Sequence, residues 1–326
     1  MNARAWSAQS DCQPARRELD FRLMKLNPKL VVLGAMLLSV CLPAMSAAPL
    51  RVLYFTKSSG YEHSVVKRVD GKPSYSENIL SALAAKHELA LTLSKDGSLF
   101  SPEYLAQFDV IMFYTSGDLL TVGTDGHPAI TTAGKQALLD AVAGGKGFVG
   151  LHSGSDTFHT GEHGGGNNPI REQRFTNYGD KADDYIKMLG GEFIRHDAQQ
   201  VAKARVIDPV FPGCSAVGDR IEVMEEWYTL KEFAANDHVL LLLDTAGMQG
   251  ADYQRTSYPL AWARTHGKGR VWFNAMGHRE DVWDNPKFQA LLVGGIEWAG
   301  GRLPADATPN IQTVAPGANT LQVYKP

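Results

Sequence analysis

Gly147-Phe148-Val149-Gly150-Leu151-His152-Ser153-Gly154 (GFVGLHSG) is the stretch that decides the fold of this chain. Its first five residues are small or apolar without alternation, the pattern of a strand covered on both faces, as in a parallel sheet flanked by helices. The Gly-x-residue-x-Gly that follows has the form of a strand-to-helix elbow, which presents one reactive side chain at the edge of such a sheet. His152 holds the elbow position. An imidazole there is a base, a ligand or a donor, and no thiol or hydroxyl takes the nucleophile's place. Neighbouring residues in a turn point apart, so no Ser153–His152 dyad is expected.

Similar runs recur on either side: Leu50–Thr56, Leu89–Ser94, Val110–Thr115, Val239–Asp244, Leu260–Arg264 and Arg270–Ala275. Between them lie helical patterns. Thr132 is placed to cap a helix through Ala143 that Gly144-Gly145 ends, and Asn285-Pro286 opens another whose Phe288, Leu291, Leu292 and Ile296 share a face. The alternation predicts a doubly wound α/β fold, flavodoxin-like, with a mostly parallel sheet and helices on both faces. The Gly-rich tract Gly161–Asn168 follows a strand end and reads as a loop over the site. Residues 304–326 are rich in Pro, Ala and Thr without periodicity, an extension expected to lie on the surface or be disordered.

Residues 1–47 are set apart. Lys25 and Lys29 precede the apolar run Leu30–Leu42, and small residues follow it to Ala48, the order of a secretory signal peptide cleaved after Ser46 or Ala47. The run is shorter than the ~20 residues that span a bilayer, so no membrane insertion is expected after cleavage. Residues 1–23 are an unusual prelude to such a signal, and Met24 is the more natural start. The mature protein is expected to be periplasmic or secreted. Removing this segment changes the net charge from −3 to −6 and leaves Cys214 as the sole cysteine, which excludes an intrachain disulfide and a thiolate metal cage. An acidic chain also gives no electrostatic case for a nucleic-acid partner.

Chemistry falls to histidine. His63, His152, His196 and His278 each sit at a strand end or beside glycine, and loops leaving the carboxyl ends of parallel strands converge. With His159, His163 and the pair Glu225-Glu226 they supply enough imidazole and carboxylate for a divalent metal or for a general acid and base. The plainer reading of any one of them is a hydrogen bond to nearby backbone, and no tight motif such as HExxH is present. Tyr61, Trp227, Tyr228 and Trp283 fit the rim of a saccharide pocket, since flat rings stack on sugar faces, whereas Trp262 and Trp272 lie within strand patterns and read as core.

These segments together resemble the ThuA-like (trehalose utilisation) family, whose fold is that of class I glutamine amidotransferases. The resemblance rests on Tyr61-Glu62-His63, GFVGLHSG at 147–154, LGGEFIRH at 189–196, EEWY at 225–228, YPLAW at 258–262, GKGRV at 267–271 and the stretch from Gly277 to Trp298, so the domain is taken as residues 48–303. Two departures concern the pocket: the long Gly-rich loop after His152, and Glu225 where aspartate is common. With histidine at the elbow, the resemblance does not imply glutaminase activity. It implies work on saccharides, 3-keto-glycosides of the trehalose type among them, by lyase, hydrolase or isomerase chemistry. His152, Glu226 and His278 would be catalytic, and His63, His152 and His196 would bind a metal. The expected partners are a small saccharide and, left open, a second copy of the chain. The alternative is a non-catalytic carbohydrate-binding or sensing module.

Overall fold

The computed structural model describes residues 48–161 and 171–321. The segment expected to be an export signal, His163 and most of the Gly-rich tract lie outside these residues. The strands are β1 (Leu50–Phe55), β2 (Leu89–Ser94), β3 (Val110–Phe113), β4 (Gly147–Leu151), β5 (Glu192–Arg195), β6 (Gln200–Val206), β7 (Arg220–Glu225), β8 (Thr229–Lys231), β9 (His238–Asp244), β10 (Tyr258–His266) and β11 (Gly269–Asn274). The helices are α1 (Tyr75–Lys86), α2 (Pro102–Leu105), α3 (Thr132–Ala143), α4 (Arg171–Arg174), α5 (Asp184–Leu189), α6 (Glu280–Trp283), α7 (Pro286–Ala299) and α8 (Ile311–Val314).

Nine strands form one sheet in the order β2-β1-β3-β4-β11-β10-β9-β6-β7, and β5 pairs with β8 apart from it. From β2 to β11 every pairing is parallel. Within this parallel part β4 lies between β3 and β11, where Phe148, Val149 and Leu151 have no exposed surface, a burial worth about 1.5–3 kcal/mol for each such side chain. Helices cover opposite faces of β4: a Cβ on Gly147 would strike Ala299 of α7, and one on Gly150 would strike Leu189 of α5. Side chains alternate along a strand, so these two positions, three apart, report opposite faces.

From β11 to β7 the pairings are antiparallel. The expectation of a mostly parallel sheet therefore holds for the part that carries the elbow, and an antiparallel wing extends it. The two-residue turn Gly267-Lys268, with Gly267 at φ +58°, closes the β10–β11 hairpin. Each reversal along the wing flips direction, so β7 runs the same way as β4 and β11 and ends at the same edge.

Helix ends follow side-chain chemistry. Thr131, one residue before the expected cap, accepts the Gly134 N–H at 2.9 Å and starts α3. Asn285 caps α7 with Pro286 at its first position. The unforeseen α1 begins with a capping box, in which the Ser74 N–H donates to Glu77 at 2.8 Å and the Glu77 N–H to Ser74. The described part of the extension docks on the domain: Ile311, Ala315 and Ala318 are buried, and the Asn310 carboxamide exchanges two hydrogen bonds with the Val239 backbone. No helix among the described residues is long and apolar enough to cross a membrane. Cys214 is a buried free thiol that burial pushes up to about 12, so it is inert at neutral pH.

Candidate active site

Three parallel strands deliver a histidine each to the carboxyl edge of the sheet. His63 lies in the loop after β1, His152 directly follows β4, and His278 comes four residues after β11. His152 sits at φ +41°, a conformation rare for a residue with a side chain, which is the backbone signature of the elbow. The three rings meet: centroids are 4.9 Å apart for His63–His152, 5.1 Å for His63–His278 and 5.3 Å for His152–His278.

Glu226 joins them from the end of β7. Four strand spacings of about 4.8 Å would put β7 roughly 19 Å from β11 in a flat sheet. The loops that follow β7 and β11 nonetheless bring their side chains together. Glu226 Oε2 lies 3.0 Å from His278 Nδ1 and 3.5 Å from His152 Nε2, and Oε1 lies 3.4 Å from His196 Nε2.

Each of the three rings is held by its outer nitrogen. His152 Nδ1–H donates to the Ala275 carbonyl at 2.8 Å, His63 Nε2 meets the Tyr228 hydroxyl at 3.3 Å, and His278 Nε2 meets the Gln199 carboxamide at 3.0 Å. The inner nitrogens, His63 Nδ1, His152 Nε2 and His278 Nδ1, are buried without a hydrogen-bond partner. Leaving a buried polar atom unsatisfied costs about 1–3 kcal/mol, so three facing one carboxylate call for a shared partner. One donor atom each from His63, His152, Glu226 and His278 lies within 4.8 Å of the others. Two ligands on opposite sides of one ion, with bonds of about 2.2 Å, would be about 4.4 Å apart. Imidazole and carboxylate donors oriented by outer hydrogen bonds suit a borderline divalent ion such as zinc or manganese.

The model of the trehalose utilisation family, ThuA, matches residues 51–299. The chain belongs to the ThuA family. Among solved structures it is similar to a ThuA-like protein from Bacteroides uniformis, 19% identical over 79% of this chain and 94% of that one, with a TM-score of 0.57. A ThuA-like protein from Parabacteroides merdae is 17% identical over 79% and 92% of the two chains, with a TM-score of 0.53. At these identities the likeness shows the fold. No match was found among curated proteins.

Electrostatics divide the ThuA site into unlike groups. Burial holds the His63 imidazole well below its usual range, with the neighbouring histidines adding to the effect. Burial also lowers His152, against the opposing pull of Glu226. Burial would raise Glu226, but contact with His152 and His278 outweighs it and holds the carboxyl below the ordinary range. In the same way burial opposes protonation of His278, and Glu226 prevails, so His278 is raised. Glu225, wholly buried, is pushed by desolvation to about 7 despite its backbone hydrogen bonds.

Other positions differ from the sequence reading. His196 contacts the outer oxygen of Glu226 and is 39% exposed at the side chain, while His278 stands where His196 was expected, among the donor atoms. Tyr61 is at the rim, 68% exposed, with its ring 4.9 Å from that of His63. Tyr228 is buried, its ring 4.0 Å from that of His152. Trp227 and Trp283, expected at a pocket rim, are fully buried because their indole N–H groups are bonded inward, to the Gln200 and Gly277 carbonyls, each at 2.8 Å. Trp262 and Trp272 are core, as expected. Ser153 Oγ is buried without a hydrogen-bond partner and forms no dyad with His152. His159, bracketed by Asp156 at 2.5 Å and Glu192 at 2.8 Å, belongs to a separate buried network.

Proposed function

We propose that this protein is an exported enzyme of saccharide catabolism that acts on 3-keto-glycosides of the trehalose type at a divalent metal held by His63, His152, Glu226 and His278. The observation that carries this reading is the convergence of three buried imidazole nitrogens on one carboxylate. Family membership supports the trehalose-related context. Bound there, the ion would polarise the ketone as a Lewis acid.

The chain's own groups supply the rest. Tyr61 offers the apolar face of a sugar ring a surface at the mouth of the site. His196 donates its Nδ1–H to the Asp197 carbonyl at 3.0 Å, which turns Nε2 toward Glu226. It is the imidazole free to take a proton from the carbon beside the ketone, where the C–H is acidified. The C–H electron pair becomes a C=C bond, the C–O bond electrons leave with the glycosidic oxygen, and that oxygen takes the proton from the His196 imidazolium. The products are an unsaturated keto sugar and a free second sugar. Glu226 steadies the imidazolium between the two transfers.

A non-catalytic binding module would need aromatic surface but not three crowded imidazoles, so the cluster favours the enzyme. The elbow and the helices on opposite faces of β4 support a doubly wound, amidotransferase-like arrangement of the parallel strands. Incubating the purified protein with 3-keto-trehalose, with and without added divalent metal, tests the reading. Metal-dependent release of free glucose, lost in His196→Ala, is expected; intact substrate at every metal tried would refute it. Amino-terminal sequencing of the exported protein, expected to start near Ala47 or Ala48, tests the signal peptide.

A further inference from the structure

We infer that Glu225, the residue before the site carboxylate, is a positioning residue that sets His278 against Glu226. This rests on the reading that both belong to one site. Glu225 is wholly buried at the end of β7. Its Oε1 accepts the N–H of Glu226 at 2.8 Å, and its Oε2 accepts the N–H of Gly277 at 2.8 Å and that of His278 at 3.3 Å. One carboxylate thus ties the backbone of both site residues, although they arrive from strands four places apart in the sheet.

The other side of the turn is clamped as well. The Gly277 carbonyl accepts from Tyr114 Oη at 3.0 Å and from Trp283 Nε1 at 2.8 Å. Gly277 adopts φ +118°, a conformation reserved for glycine. With the His278 N–H held by Glu225 and the Gly277 C=O by the two aromatic residues, the peptide leading into His278 is held on both sides. Held so, His278 has its Nδ1 3.0 Å from Glu226 Oε2. A carboxylate buried only to satisfy backbone would be an expensive choice, because burying a charge costs more than burying a neutral acceptor. Here it supplies accepting oxygens in two directions at once, one for each site residue.

Cobalt(II) affinity and the His278 ring resonances of the metal-free protein test this in Glu225→Gln. Expected are a 10–100-fold loss of cobalt affinity, the range for partners that orient metal ligands, and a moved His278 signal with those of His238 and His266 unchanged. Unchanged affinity together with an unmoved His278 signal would overturn the inference. If the wild type takes up no cobalt, the metal reading fails, and the His278 signal alone decides the positioning role: moved supports it, unmoved overturns it. Should Glu225→Gln not fold, Glu225→Asp keeps the acid but draws its oxygens back from the Gly277 and His278 N–H groups by one methylene. A smaller movement of the His278 signal is then expected, and none would overturn the inference.

Discussion

His152 Nε2 and Glu226 Oε2 face each other 3.5 Å apart inside the protein, while the other nitrogen of His152 is committed to the Ala275 carbonyl. That commitment fixes the tautomer, leaving Nε2 a lone pair beside a carboxylate that also carries lone pairs. Two acceptors in a buried site repel unless a cation or proton lies between them.

His152→Ala follows directly. The substitution removes one donor from the shared site and leaves the β4 strand intact. We expect turnover of a 3-keto-glycoside to fall more than the ~10–100-fold typical of partners outside the donor set, with circular dichroism unchanged. Turnover within twofold of wild type would take His152 out of the site.

Two aromatic substitutions should separate rim from core. Tyr61→Ala is expected to raise KM roughly tenfold, the equivalent of about 1.4 kcal/mol of lost stacking, with no change in thermal midpoint. Trp227→Ala should instead cost about 3–5 kcal/mol of stability, measured by urea unfolding. The reverse pattern would mean that Trp227 contacts the sugar.

The buried network around His159 gives a pH dependence. Burial disfavours its charged form, but Asp156 and Glu192 outweigh that and raise it from 6.5 to about 9. A folded-state value above the unfolded one stabilises the protein fully below about pH 6.5, and the contribution is lost as pH rises through about 9. It is worth on the order of 3 kcal/mol. The stability difference between wild type and His159→Gln should therefore be large at pH 6, shrink as pH rises from about 6.5 to about 9, and be lost above that. A difference that grows with pH would contradict this.

The docked extension is a separate stability element. Asn310→Ala breaks two hydrogen bonds to the Val239 backbone and should cost about 1–3 kcal/mol in urea unfolding. No measurable loss would mean that the tail contributes nothing to the domain.

What was legible in the sequence follows from burial. Strands such as Val110–Phe113 and Gly147–Leu151 are covered on both faces and read as unbroken apolar runs. The wing strands β6 and β7 are half exposed and carry charge on alternate positions, Lys203 and Arg205 opposite Glu222 and Arg220, so they escaped notice. Helix α1 was overlooked although Ser74 and Glu77 have the spacing of a capping box. The elbow and three site histidines were readable because strand ends converge by topology. The depth of Trp227 and Trp283 was not, because it depends on carbonyls brought from Gln200 and Gly277 by the fold. The Glu225–Glu226 pair was readable as carboxylate, but the contact of Glu225 with Gly277 and His278, about fifty residues along the chain, was not.

His63, His152, Glu226 and His278 are proposed to hold one divalent ion. Elemental analysis of the purified protein after equilibration with zinc or manganese, beside Glu226→Gln treated identically, tests it most directly. About one ion per wild-type chain is expected, with a large loss in the variant. Equal metal content in the two proteins, or none in the wild type, would contradict it.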